Sequence, residues 1–431
     1  MSAGFDHPGL PGPLMRRGPR PLLLHLSLAL LRSMTSIGAS PSWSSVWPVM
    51  SAAVQAAAAR AATAPDDAAP AAAPPESLAD LVARLAAHDA LLIRGIAAYR
   101  RFPARRALDE PPVLWTEGET RLLDYGPTAS PAAAAPADAP AILFVPSLVN
   151  RAYVLDLAEG RSMLRWLAGQ GMRPLLLDWG WPGAAERAFT LTDYVAGRLE
   201  RGLAVATAAA GGPVVLAGYC MGGTLAVAAA ERRPDLVRAL ALLATPWDFQ
   251  AGDPDRAAQA ARLLPMIEPS MGFSGTLSID LLQTLFTLLD PDGVAEKYRA
   301  FARLDPASAR ARLFVALEDW LADGVPLAAP VGREVLSGWY GANTPMLGAW
   351  RIAGLPVRPA ALQLPAFVAA PARDRIVPPE AALPLGTAIP GAHVHQPGAG
   401  HVGMVAGTGA ERALWRPLRD WVAALSPATP R

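Results

Sequence analysis

The sequence holds one cysteine, Cys220, and one lysine, Lys297, in 431 residues. A single thiol excludes an internal disulfide framework, fits a reducing compartment and shifts interest to thiol chemistry. Charged residues make up only 17% of the chain, and 38 basic against 37 acidic residues leave a formal net charge of +1. That balance provides no basic field for nucleic acid. Long hydrophobic runs are also missing. Residues 21–31 are mostly leucine, but His25 and Ser27 interrupt them and Arg32 closes them, so the run is too short to span a bilayer. With Arg16, Arg17 and Arg20 ahead of it, the run has the outline of a signal peptide but lacks a clear small-x-small cleavage site soon after it. The expectation is a buried or interface helix and a cytoplasmic address.

What is present is a hydrophobic, globular composition, 52% apolar, long enough for one large domain with an insertion. The chain is organised around residues 214–224, where an apolar run (Val214, Val215, Leu216, Ala217) meets Gly218, Tyr219, Cys220, Met221, Gly222 and Gly223. Glycines two residues before and after Cys220 give the spacing of a nucleophile elbow, a strained strand-to-helix turn that presents one side chain to substrate.

Short apolar runs at 113–116, 121–125, 142–146, 173–180, 239–244, 366–370 and 392–395 read as strands, the first two as a hairpin. Helical patterns lie between them, at 162–170, 192–210 with Thr192 as N-cap, and 410–425. This alternation predicts an α/β fold with a mainly parallel, doubly wound sheet.

The alternation lapses in two places. Residues 1–14 read as disordered, and 15–105 as a helical N-terminal region with an Ala/Pro linker at 61–75. In that region Leu78, Leu81, Leu85, Leu92 and Ile96 share one helix face. A second Ala/Pro-rich stretch covers 129–140. Residues 110–250 and 351–431 form the two parts of the core, and 251–350 read as an inserted helical cap. Within that cap Leu277, Ile279, Leu281, Leu282, Leu285, Phe286 and Leu289 read as one apolar helical run.

Two loops stand where catalytic partners belong. Asp374 follows the run at 366–370, and His401 follows the run at 392–395. The order nucleophile, acid, histidine is that of α/β-hydrolase triads. Cys220, at a helix start beside an imidazole, becomes a usable thiolate. His401 is the candidate base, and Asp374 accepts its other ring N–H. The backbone N–H of Met221, with one from Val149 or Leu148, makes the candidate oxyanion hole. His393 and His395 alternate on a strand and read as structural, His88 as a helix-surface residue and Asp178 as a strand terminator. Thiolate attack on a thioester makes another thioester and preserves acyl-transfer potential, which tilts the cysteine toward acyl transfer.

Several segments together resemble the polyhydroxyalkanoate synthases, above all the short class III catalytic subunits. They are residues 148–157, 177–182, the Gly-x-Cys-x-Gly-Gly box at 218–223, residues 245–249, 343–353, 374–379 and 400–403. Arg375 stands where the family often has histidine, and Met221 replaces the more frequent residues after the nucleophile. The resemblance implies an α/β-hydrolase fold and an acyltransferase that polymerises 3-hydroxyacyl-CoA through Cys220, His401 and Asp374. In the family the aspartate is assigned to activating the 3-hydroxyl of the incoming unit. It further implies a homodimer or a partner synthase subunit, a growing polyester chain or granule as partner, and no cofactor or metal, the CoA thioester being substrate. Two other readings remain open. One is a cysteine hydrolase, either a thioesterase or an intracellular depolymerase. The other is a non-catalytic granule-binding paralogue.

Overall fold

The computed structural model describes residues 16–38, 77–128, 139–289 and 292–425. The stretch at 1–14, the linker at 61–75 and most of the Ala/Pro stretch at 129–140 lie outside them. The chain divides into two compact units, one of residues 1–105 with 290–322, the other of 106–289 with 323–431.

The larger unit is built on eight strands: β1 (Val113–Glu117), β2 (Thr120–Asp124), β3 (Ala141–Val145), β4 (Arg173–Asp178), β5 (Val214–Tyr219), β6 (Val237–Leu243), β7 (Ala366–Ala369) and β8 (His393–His395). They are arranged in the order β1-β2-β4-β3-β5-β6-β7-β8. β1 and β2 pair antiparallel with each other, and β2 with β4. Every pairing from β4 to β8 is parallel.

β3, β5 and β7 are buried at every position, as strands covered on both faces must be. That is why they read as unbroken apolar runs rather than alternating ones. β3 continues to β4 on one side, whereas β5 lies on its other side. The strand order therefore reverses at β3, and the loops beyond the carboxyl ends of β3 and β5 frame the crevice in which such sheets bind ligands.

Three details depart from the sequence expectations. The helical stretch through Ala210 is capped by Thr190, not Thr192: Thr190 Oγ1 accepts from Asp193 N at 3.3 Å while Asp193 Oδ2 accepts from Thr190 N at 2.8 Å. This is a reciprocal capping box, and Thr192 Oγ1 instead accepts from Ala353 N. The first part, Asp193–Leu199, is wound as a π-helix before Glu200–Ala210 becomes α-helical. Leu277 is not part of the following helix. It pairs with Leu327 in a two-stranded ladder, Thr276–Leu277 against Leu327–Ala328, and the helix begins at Ile279.

The smaller unit contains helices Leu22–Gly38, Leu78–Arg100, Gly293–Phe301 and Ala309–Ala322. Ser77 caps the second of these by accepting from Asp80 N at 3.2 Å. Leu81, Leu85, Leu92 and Ile96 are buried as their spacing predicts, whereas Leu78 is only half-buried. The core is aromatic: Tyr99 meets Tyr298 edge-on at 5.6 Å, and Phe301 stacks on Phe314 at 4.3 Å. Gly95 permits the crossing, since a Cβ there would stand 2.0 Å from the Tyr298 carbonyl oxygen. Among the described residues no helix is long and apolar enough to cross a membrane.

Candidate active site

β5 is drawn fully into the sheet by Val214, Val215, Leu216 and Ala217, all buried. The helix Met221–Arg232 that follows is Ala-rich and buried from Met221 through Ala230, so small side chains bring it close against the strands. Strand and helix both press inward, and the turn between them has no room to relax. Cys220 absorbs the conflict with φ 54° and ψ −130°, a backbone conformation that costs a non-glycine residue about 1–3 kcal/mol. Its side chain is left half-exposed.

The flanking glycines are steric requirements. A Cβ on Gly222 would stand 2.1 Å from the Val145 carbonyl oxygen, and one on Gly223 1.8 Å from Thr245 Oγ1. Replacing Gly222 with alanine is expected to push the helix off β3, destabilising the protein by about 1–3 kcal/mol. Chemical denaturation read alongside activity checks this, since the displaced turn loses activity even at temperatures where the variant stays folded.

His401 and Asp374 come to Cys220 from the ends of β8 and β7. Asp374 is buried, and its two oxygens are divided between two tasks. Oδ1 accepts from Ile376 N at 2.8 Å and Val377 N at 2.9 Å, which anchors the carboxylate in its own turn. Oδ2 lies 2.7 Å from His401 Nδ1. With Nδ1 so held, Nε2 is the ring nitrogen left free, and Cys220 lies near enough for its charge to act on the imidazole.

Electrostatics follow from that geometry. Burial alone would lower the His401 pKa, but the negative charges of Cys220 and Asp374 outweigh it, and the imidazole is pushed up to about 10. Tyr219, whose ring lies 5.1 Å from the His401 ring, has its phenol raised by burial and by the charges of Cys220 and Asp374. Its hydroxyl donates to the His401 carbonyl at 3.4 Å, so this end of the site is braced from below.

The candidate oxyanion donors lie at the helix start and in the loop after β3. Met221 is the first residue of its helix, where the backbone N–H has no intrahelical acceptor. Of the two candidates in the other loop, Val149 N donates to Ser147 Oγ at 3.3 Å. Leu148 N makes no hydrogen bond among the described residues.

The remaining candidates behave as structural residues. Asp178 pairs with Arg121 at 3.0 Å and accepts from Gly180 N. His395 Nε2 lies 2.7 Å from the Ala413 carbonyl oxygen, and His393 stacks on Phe367.

One site residue escaped the sequence reading. Tyr340 is half-buried and lies close enough to Cys220 for desolvation and the cysteine's charge to raise its phenol to about 12. It belongs to an aromatic wall: Phe249 contacts both Trp339 and Tyr340, and Trp339 meets Trp350 edge-on. Asn343, at φ 48°, ties that wall to the loop after β6 by donating to Asp248 Oδ1 at 2.8 Å and accepting from Phe249 N at 3.0 Å. The only signal in the sequence was the Trp-Tyr-Gly run at 339–341, which has no helical or strand period of its own.

A model of the alpha/beta hydrolase fold matches residues 140–408. Poly(3-hydroxyalkanoate) polymerase subunit PhaC of Haloferax mediterranei is 30% identical over 318 residues, 72% of this chain and 63% of that protein, so the match spans less than two thirds of its length. The subunit of the same name from Allochromatium vinosum is 29% identical over 65% of this chain and 80% of its own. Among solved structures, a monoacylglycerol lipase of Paleococcus ferrophilus has a TM-score of 0.43 and 16% identity, covering 72% of this chain and 100% of its own. The order of the strands, the turn at Cys220 and the extent of these matches lead to one assignment: the chain belongs to the alpha/beta hydrolase fold family and is similar, within it, to the poly(3-hydroxyalkanoate) polymerases.

Proposed function

We propose that the protein is an acyltransferase that joins 3-hydroxyacyl units from CoA thioesters into a polyester, with Cys220 as nucleophile, His401 as base and Asp374 as its orienting partner. The observation that carries this reading is a half-exposed cysteine on the strained turn after β5, beside a histidine that an anchored carboxylate holds. The similarity to poly(3-hydroxyalkanoate) polymerases supplies the substrate class.

In the first half-reaction the thiol proton rests on His401 Nε2 and Cys220 Sγ attacks the thioester carbonyl as a thiolate. The N–H groups of Met221 and Leu148 receive the oxyanion. The bond to the CoA sulfur then breaks, and imidazolium returns the proton to the departing thiolate. In the second, a hydroxyl of another unit gives its proton to His401 and forms an ester bond to the acyl carbon as the bond to Cys220 breaks. Both oxygens of Asp374 are engaged, by backbone N–H groups and by His401. That occupancy favours the orienting role over the hydroxyl-activating one implied by the family resemblance. The aromatic wall of Phe249, Trp339 and Tyr340 would exclude water from the acyl-enzyme.

Incubation with 3-hydroxybutyryl-CoA and its longer homologues tests the proposal. Release of CoA with growth of an oligomeric ester supports it. Release of CoA with only free hydroxy acid identifies a thioesterase instead. The dimer or partner subunit and a place on polyester granules in the cytoplasm belong to the same proposal, and sedimentation of the full chain with and without polymer reads them.

A further inference from the structure

The smaller unit carries a cavity of 570 Å³ that has no place in the chemistry at Cys220. Four guanidinium groups line it: Arg32 from the first helix, Arg84 and Arg94 from the second, and Arg303 from just beyond the third. His88 adds a fifth nitrogen base, Leu85 and Leu91 supply an apolar floor, and no carboxylate is among the lining residues. Arg32 is partly neutralised from outside the cavity, pairing with Asp292 at 3.2 Å and Glu296 at 3.3 Å, and His88 lies 3.7 Å from Glu296. Arg94 and Arg303 carry no ion pair among the described residues. Burial and the positive charges of Arg299 and Arg32 hold His88 below its ordinary pKa, against the opposing pull of Glu296 and Asp89.

Arg94 and Arg303 face this cavity without an ion pair among the described residues, and its lining holds no carboxylate, so an anion bound there would supply their counter-charge. Guanidinium forks match phosphate oxygens two at a time, and a cavity of this volume has room for more than a bare phosphate. We propose that this cavity binds the phosphate group of a phosphorylated small molecule or lipid, held by Arg32, Arg84, Arg94 and Arg303 with its apolar part on Leu85 and Leu91. The proposal is independent of the reaction assigned to Cys220.

Calorimetric titration of the full chain with inorganic pyrophosphate, and flotation with phosphatidylglycerol against phosphatidylcholine vesicles, test it. The comparison is with the double variant Arg94→Ala/Arg303→Ala. Both positions are exposed, so the variant should keep the wild-type melting temperature, and Arg312→Ala, outside the cavity, serves as the control. Pyrophosphate binding that weakens at least ~10-fold in the double variant and not in the control supports a soluble phosphate ligand. Flotation with phosphatidylglycerol alone, lost in the double variant, supports a lipid headgroup. Binding of neither probe, or binding equal in wild type and double variant, overturns the proposal.

Discussion

Cys220→Ala is expected to lower CoA release from 3-hydroxyacyl-CoA by at least ~10³-fold, with the folded state unaffected. The alanine methyl group accepts the same backbone conformation as the cysteine, since the strain at φ 54° is set by the sheet and the helix pressing on the turn. Tyr219 and Tyr340 do not replace it as nucleophiles, since burial, the first cause of their raised phenols, holds both protonated. Cys220→Ser retains a hydroxyl, but its acyl intermediate is an ester, which surrenders the transfer potential that the next hydroxyl uses. Measured single-turnover CoA release separates the two variants, since serine gives slow acylation and alanine none.

Asp374→Asn is expected to lower turnover by about 10⁴-fold, as seen when the orienting acid of a triad becomes an amide. The physical reason is local. The N–H groups of Ile376 and Val377 require an acceptor, so the amide oxygen must take the place of Oδ1. The amide nitrogen then faces His401 Nδ1 and donates to it. The imidazole proton is forced to Nε2, and the ring can no longer accept a proton from Cys220.

The same substitution has a pH signature. The folded pKa of His401, about 10, lies above its ordinary value of 6.5. The stabilisation from the charged imidazolium is therefore fully present below about pH 6.5 and is lost as pH rises through 10. Wild-type melting temperature should fall across that window, by about 1 °C for each kcal/mol lost. Removing the Asp374 charge lowers the His401 pKa, so the variant should show a flatter profile between pH 7 and 10. Parallel slopes would mean that the carboxylate does not hold the imidazole charge.

Much of this site was legible in the sequence because each part rests on local pattern. The buried strands are apolar throughout, the turn at Cys220 requires glycine on both sides, and Asp374 and His401 follow strands directly. What escaped depends on contacts distant in the chain. Leu277 looks helical by its neighbours, but its backbone pairs with Leu327, fifty positions on. Thr190 and Thr192 both suit a helix start, and only the answering carboxylate of Asp193 decides between them. Tyr340 comes near Cys220 on the helical stretch Glu334–Gly341, whose end is tied by the Asn343–Asp248 bond between residues that no spacing rule links. Residues 292–322 join the N-terminal part through Tyr298, Phe301 and Phe314. Aromatic contacts of that kind leave no periodic trace.

The most direct test of the account is mass spectrometry of the protein after brief exposure to 3-hydroxybutyryl-CoA. A hydroxyacyl adduct should appear on the peptide containing Cys220, grow by whole hydroxyacyl units with time, and be absent from Cys220→Ala. Stoichiometric CoA release with Cys220 unmodified, or an adduct that persists in the alanine variant, would contradict it.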